Sequence, residues 1–252
     1  MNKKRIIARI DVKNEFAIKG IHLEGLRKVG DPNEMAIKYY RQGVDEIIFM
    51  DAVAAYYDRN SLSDLIVKAT GNVFVPITVG GGMRTLTDIS KALNSGADKV
   101  AINTQAVRRP EFITEAASVF GSQCIVVSIE AKRIADAKWE VYVDNGREPT
   151  GVDVVDWVAR LEGLGAGEII LTSIDMEGTK KGFDDDLIKA VSPKTSLPLT
   201  VCGGAGNYPH IQSVLSNKCV NAVALASVFH YNILQIDTLK EELDNNEIEV
   251  RI

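Results

Sequence analysis

Short apolar runs recur along this chain, each followed by a loop holding Gly, Asp or Asn and then by an amphipathic stretch. The runs occupy residues 5–10, 46–50, 75–79, 99–102, 124–129, 168–171, 197–201 and 222–225, short and apolar in the manner of buried strands. Apolar residues at helical spacing predict helices over 33–42, 87–94, 110–120, 152–164, 184–190, 209–215 and 236–243. Strands that alternate with helices predict a parallel sheet. Eight such units in 252 residues predict that the sheet closes, giving one (β/α)8 barrel over residues 1–252 rather than an open doubly wound sheet.

Boundary residues agree. Asp31-Pro32 places an N-cap before a proline at the first helical position, and Arg109-Pro110 repeats the pattern with a weaker cap. Gly43, Gly96 and Gly165 stand where helices should stop, shortly before the next strand. Two regions break the rhythm. Residues 12–30 read as a long loop after the first strand, and 131–150 as a loop carrying a small hairpin at Trp139–Tyr142. Ordered loops of that length are often functional.

The chain also repeats itself. Residues 75–107 align without gaps on 197–229, an offset of 122, and Glu46-Ile-Ile matches Glu168-Ile-Ile at the same offset. The expected TIM barrel is therefore built from two related half-barrels of four units each.

Composition narrows the function classes. Hydrophobic residues make up 46% and charged residues 25%, with a net charge of -5. That argues against broad nucleic-acid binding and leaves room for a local cationic pocket. No stretch approaches the roughly 20 apolar residues of a membrane span. The N-terminal residues MNKKRIIARIDV carry too short an apolar run for a signal peptide. Cys124, Cys202 and Cys219 form no metal-ligand spacing, so buried or idle thiols in a reducing cytoplasm are expected, with no metal and no cofactor.

Barrel enzymes build their sites where strands end. Here the strand ends carry Gly80-Gly81-Gly82, Asn103-Thr104, Gly203-Gly204-Ala205-Gly206 and Ala226-Ser227. Glycine lets a backbone approach an anion, and N–H groups at a helix start cradle it. One glycine cluster is explained by a tight turn. Two at one offset, each followed about 20 residues later by a small polar strand end, suggest a substrate with a phosphate at each end. Asp11, Asp51, Glu130 and Asp175 lie at or just beyond strand ends, with Glu177 a little further on. Asp11 ends the first strand and Glu130 the fifth, so in a closed eight-stranded barrel they face each other as a candidate acid and base. Strand-end acids also bind loop amides or cap helices, an equally good account of Asp51 and Asp175. Lys19, among small and apolar neighbours, is placed to reach a phosphate or developing charge. At the strand starts, Arg5, Glu46, Lys99 and Glu168 make a mixed-charge set on the opposite face. Stability or an axial gate would each explain it.

Taken in order, DVK…KG, TVGGG-R, GADKVAIN, FGSQCIVV, AKR, GAGEIILTSID, GT-KG, CGGAG and ASVFH span the whole chain. In these motifs the sequence resembles the cyclase subunits of imidazole glycerol phosphate synthase, more closely than the sister isomerases with the same half-barrel repeat. The resemblance implies a lyase-type reaction of histidine biosynthesis. Ammonia from a partner glutaminase, in a heterodimer, attacks a bis-phosphorylated ribulosyl substrate, closes an imidazole and releases an aminoimidazole carboxamide ribotide. It implies Asp11 as the first of two catalytic aspartates that act as acid and base. It implies phosphate ligands at Gly82, Asn103 and Thr104 on one side, and at Thr172, Gly178, Gly204, Ala205, Ala226 and Ser227 on the other. Lys19 matches the loop lysine, and Arg5, Glu46, Lys99 and Glu168 match an ammonia gate. Asp98 and His230 match positions on the glutaminase-facing surface or near the mouth.

Three departures bear on the chemistry. Glu130 stands where the family has its second aspartate, Glu177 replaces another aspartate, and Ala8-Arg9-Ile10 replaces Pro-Cys-Leu, so that a cation points inward two residues from Asp11. An extra methylene is a displacement of about 1 Å, enough to cost about 100-fold in rate. Two readings follow: a cyclase that tolerates glutamate, or a paralogue that pairs with a glutaminase and passes ammonia to a third enzyme amidating surface-polysaccharide sugars. A sugar-phosphate-binding barrel with no amidotransferase role is disfavoured by the retained gate.

Overall fold

The computed structural model describes residues 3–53 and 62–251. Their strands are β1 (Arg5–Lys13), β2 (Phe16–Ile21), β3 (Glu24–Gly30), β4 (Glu46–Asp51), β5 (Ile77–Gly80), β6 (Lys99–Ile102), β7 (Ile125–Ala135), β8 (Lys138–Val143), β9 (Glu148–Asp153), β10 (Glu168–Ser173), β11 (Leu199–Cys202) and β12 (Ala222–Leu225). Eight of these, β1, β4, β5, β6, β7, β10, β11 and β12, run parallel, each paired to the next. β12 returns to β1 through Arg5↔Ala222 to Ala8↔Leu225, which closes the barrel. Each expected apolar run supplies one barrel strand, displaced by a residue or two at most at its start.

Alternation sorts β1 between two cores. Ile6, Ala8, Ile10 and Val12 face outward and pack in the large cluster beneath the helices. Ile7 faces the axis in a smaller belt with Ile48, Ala101, Val126, Ile170, Cys202, Ala222 and Ala224. Arg5, Arg9 and Asp11 share its parity and so lie below and above that belt.

The helices are α1 (Pro32–Arg41), α2 (Leu62–Thr70), α3 (Leu86–Asn94), α4 (Thr104–Arg108), α5 (Glu111–Phe120), α6 (Val154–Leu164), α7 (Asp185–Val191), α8 (Tyr208–Leu215), α9 (Ser227–His230) and α10 (Ile236–Asn245). Asp31 caps α1 as expected, accepting from the N–H groups of Asn33 and Glu34. Gly165 ends α6 in the left-handed region at φ 96°. Pro110 is a correction: it stands before α5, which begins at Glu111, and no side chain caps that end.

The two long loops are also corrected. Residues 12–30 form an antiparallel excursion, in which β2 pairs with the extended end of β1 and β3 pairs with β2. In 131–150, β7 runs on to Ala135 and pairs with β8, which pairs with β9. Both excursions rise from the strand-end face.

Candidate functional site

The first charged set lies at the strand starts. Arg5 Nη1 is 2.6 Å from Glu46 Oε1 and Arg5 Nη2 is 2.8 Å from Glu168 Oε1. Lys99 Nζ completes the circuit at 3.0 Å from Glu46 Oε2 and 2.8 Å from Glu168 Oε2. Two cations and two carboxylates thus alternate in a closed ring. Thr200, from β11, donates to Glu168 Oε1 at 2.8 Å and was missed in the sequence, where a single inward threonine gives no signal. Burial works to raise the Glu168 carboxyl, but Arg5 and Lys99 outweigh it and hold it below the usual range. Directly above the ring is the apolar belt. Asp98 is nearby on the same face, where its carboxylate accepts from the N–H of Ile77 at 2.8 Å and staples the start of β5.

At the other end of the axis, Asp11 and Glu130 both face the mouth, in unlike surroundings. Arg9, 2% exposed, donates through Nε to Asp11 Oδ1 at 2.8 Å and through Nη1 to Thr172 Oγ1 at 3.0 Å. Lys19, 3% exposed, lies 3.7 Å from Asp11 Oδ2 and donates to Glu177 Oε1. Lys19 therefore reaches the mouth as anticipated, engaged with carboxylates. Burial tends to raise Asp11, but Arg9 and Lys19 outweigh it, so its carboxyl is held below its ordinary value.

Glu130, 4% exposed, accepts from the N–H of Gly146 at 2.7 Å from Oε2 and from the Asn103 side chain. Burial dominates and pushes its pKa up to about 7, against the lowering effect of Arg9 and the Gly146 N–H. One carboxyl is thus fixed as an anion while the other exchanges a proton near neutrality. Pairs driven apart in this way suit acid and base roles. Cys202 lies against Arg9 Nη1 at 3.6 Å and Glu177 Oε2 at 3.8 Å, its thiol pushed up to about 11 by burial. His230, pushed down to about 4 by burial and then by Lys19, is neutral and takes up Tyr39 Oη at 2.8 Å.

The first-half cradle opens on a cavity of about 110 Å³ whose wall includes Met50, Gly82, Asn103, Thr104, Glu130 and Asn145. Gly82 holds φ 72°, a conformation that glycine adopts freely. Thr104 Oγ1 donates to Asp144 Oδ1 at 3.1 Å, and Arg108 meets Asp144 at 2.9 Å. The Asp144-Asn145-Gly146 turn was missed as part of the site. The sequence placed a hairpin at Trp139–Tyr142, with nothing to say that the chain after it folds back over the mouth.

The second-half cradle is more enclosed. Thr172, Gly204, Ala226 and Ser227 are buried and Ala205 is partly so. The Gly204 carbonyl accepts from the Gly182 N–H at 2.8 Å. Gly178, at φ 74°, lies so close to β2 that a Cβ there would be 2.3 Å from the Gly20 carbonyl oxygen. Asp51 and Asp175 follow the bland alternative in part: their carboxylates accept from the N–H groups of Val53 at 2.9 Å and Arg133 at 2.8 Å.

Among known proteins, the family model described as "Histidine biosynthesis protein" matches residues 5–235. The chain is 57% identical over 206 residues to the imidazole glycerol phosphate synthase subunit HisF of Legionella pneumophila, covering 82% of this chain and 97% of that one. It is 46% identical over 252 residues to the subunit of the same name from Bacillus cereus (strain Q1), covering all of both chains.

Proposed function

Since the chain belongs to the histidine biosynthesis proteins, as a HisF-type cyclase subunit of imidazole glycerol phosphate synthase, we propose that its barrel mouth takes ammonia released by a glutaminase subunit and closes the imidazole ring of a bis-phosphorylated ribulosyl substrate. The reaction is of lyase type and yields imidazole glycerol phosphate and an aminoimidazole carboxamide ribotide. The observation that carries this reading is the axial arrangement: a closed ring of Arg5, Glu46, Lys99 and Glu168 at one end, and two carboxyls of unlike proton affinity at the other.

Glu130, protonated to a useful fraction near neutrality, is the proton donor to the substrate, and Asp11 the fixed carboxylate that takes a proton or steadies positive charge. The N–H groups around Gly82, Asn103 and Thr104 hold one phosphate, and those around Gly178, Gly204, Ala205, Ala226 and Ser227 hold the other, with Thr172 donating its hydroxyl. For that phosphate to enter, Lys19 leaves Glu177 and turns to the anion. Neutral ammonia enters at the ring of Arg5, Glu46, Lys99 and Glu168 and crosses the apolar belt, which favours an uncharged molecule. Three free thiols fit a cytoplasmic setting.

Turnover of the purified chain with ammonium salt and the ribulosyl substrate tests the assignment. Ring closure that is lost in Glu130→Gln supports it, and stimulation of a glutaminase without ring closure contradicts it. One observation favours a second reading, in which the barrel passes ammonia to a third enzyme that amidates polysaccharide sugars: Arg9 and Lys19 already occupy Asp11 and Glu177. Absent turnover together with an intact glutaminase response is the outcome expected of it.

A further inference from the structure

Arg9 does more than pair with Asp11, because of where its side chain ends. It leaves β1 two residues beyond Ile7, on the inward parity of the apolar belt. Its Nη1 donates to Thr172 Oγ1 on β10 at 3.0 Å and lies 3.6 Å from Cys202 Sγ on β11. Round the barrel, β12 and β11 stand between β1 and β10, and the next strand on, β7, is the one opposite β1. The guanidinium therefore crosses most of the barrel interior to reach its partners. Cys202 belongs to the belt itself, so this crossing lies directly on the belt, at its mouth end.

A molecule that crosses the belt from the ring meets a polar group that the protein leaves unused. Ser128, on β7 two residues before Glu130, shares the inward parity of Val126 and pairs in register with Ile170, both belt residues. It is 2% exposed, and its hydroxyl has no hydrogen-bond partner among the described residues. A buried hydroxyl without a partner is uncommon. A small neutral molecule that donates and accepts, as ammonia does, would satisfy it.

The groups that fasten Arg9 are tied to those that an anion at the mouth engages. Thr172 holds Nη1, Lys19 pairs with Glu177, and Thr172 and Lys19 are both placed to meet a phosphate in the second-half cradle. Glu177 is 2% exposed, and its Oε2 lies 3.8 Å from the same Cys202 sulfur that Arg9 meets. Once Lys19 turns to a phosphate, Glu177 is a buried carboxylate stripped of its partner, with the Arg9 cation beside it. An unpaired buried charge is strongly disfavoured, which draws the guanidinium toward Glu177 and away from Asp11. We infer that Arg9 is an inner closure of the axial path, barring the belt from an empty mouth and withdrawing when an anion takes Lys19. The inference rests on the proposed ammonia route for the identity of the molecule held back.

Cys202, under the guanidinium, reports the closure without turnover. The test is the rate at which methyl methanethiosulfonate, a small neutral reagent, modifies Cys202 in the full chain, read by mass spectrometry beside Cys124 and Cys219. Saturating inorganic phosphate should speed the reaction of Cys202 about tenfold in the wild type, and chloride at equal ionic strength should not. Arg9→Ala, or Arg9→Ala/Asp11→Asn if the single variant unfolds, should react at least about tenfold faster than the wild type without phosphate. Burial holds the Cys202 thiol at about 11 and Arg9 acts to lower it, so loss of the cation alone would slow the reaction, and a faster one reports access. Cys124 reacting at its wild-type rate checks that the variants fold. Glu177→Gln should abolish the phosphate effect. A Cys202 rate that Arg9→Ala/Asp11→Asn leaves unchanged, or that phosphate leaves unchanged or slows, overturns the inference. Both accelerations without ring closure in turnover contradict the proposed function and leave the closure standing; ring closure with an unmoved Cys202 rate does the reverse.

Discussion

A guanidinium buried on a barrel axis is costly unless its charge and its N–H groups are both met, and Arg9 meets that condition through Asp11, Thr172 and Cys202. The contact with Asp11 holds that carboxyl low, while burial raises Glu130 against the pull of the same cation. Arg9→Met leaves Asp11 buried with only Lys19 nearby, at 3.7 Å. The variant is expected to lose about 3–5 kcal/mol in urea unfolding, most of it recovered in the Arg9→Met/Asp11→Asn double variant. A single variant as stable as the wild type would show that the pair is not load-sharing. For Glu130 the sign is opposite to that of an ordinary paired acid. Its proton is held more tightly in the folded state, with a pKa of about 7 against 4.5, so the folded state binds more protons in that interval. Stability should therefore fall as pH rises from about 4.5 to about 7 and then level off, and Glu130→Gln should flatten that slope. Melting curves across the interval check it, and an identical slope in the variant counts against the assignment.

Elements differ in how plainly the sequence declares them. The eight barrel strands were legible because each is a short apolar run buried on both faces, and α1 because Asp31-Pro32 sits at its start. α2 was overlooked even though Leu62, Ile66 and Ala69 are spaced to bury one face. α4 and α9 are about one turn long, too short for a helical period to register. β3 was invisible for a different reason: its residues are largely exposed, so no alternation marks it and only pairing to β2 makes it a strand. For the site, the glycine clusters, Asp11, Glu130 and the ring charges were legible at strand ends and starts. The Asp144-Asn145-Gly146 turn was not, because its place over the mouth depends on how β8 and β9 fold back. Gly178 links these scales, because it fits under β2 only without a Cβ. Gly178→Ala is expected to push the hairpin away, cost about 1–3 kcal/mol and speed proteolytic cleavage within residues 16–30. Cleavage at the wild-type rate would show that the hairpin is not seated there.

At the scale of the molecule, the two halves share a chain path yet differ at the mouth. The first-half cradle stays open beside Glu130, while the second is covered by β2 and by the Lys19–Glu177 pair. The ring of Arg5, Glu46, Lys99 and Glu168 lies on the same axis, separated from the mouth by apolar side chains. The ring and the mouth carboxyls should therefore act as one path. The most direct test is the ratio of glutamate released to imidazole rings closed, measured with a glutaminase partner, glutamine and the ribulosyl substrate. In the wild-type complex the ratio should be close to one. Lys99→Ala removes the cation that joins Glu46 to Glu168 and should raise the ratio several-fold, as ammonia escapes before reaching the mouth. A ratio that stays at one in Lys99→Ala would contradict an axial route through that ring.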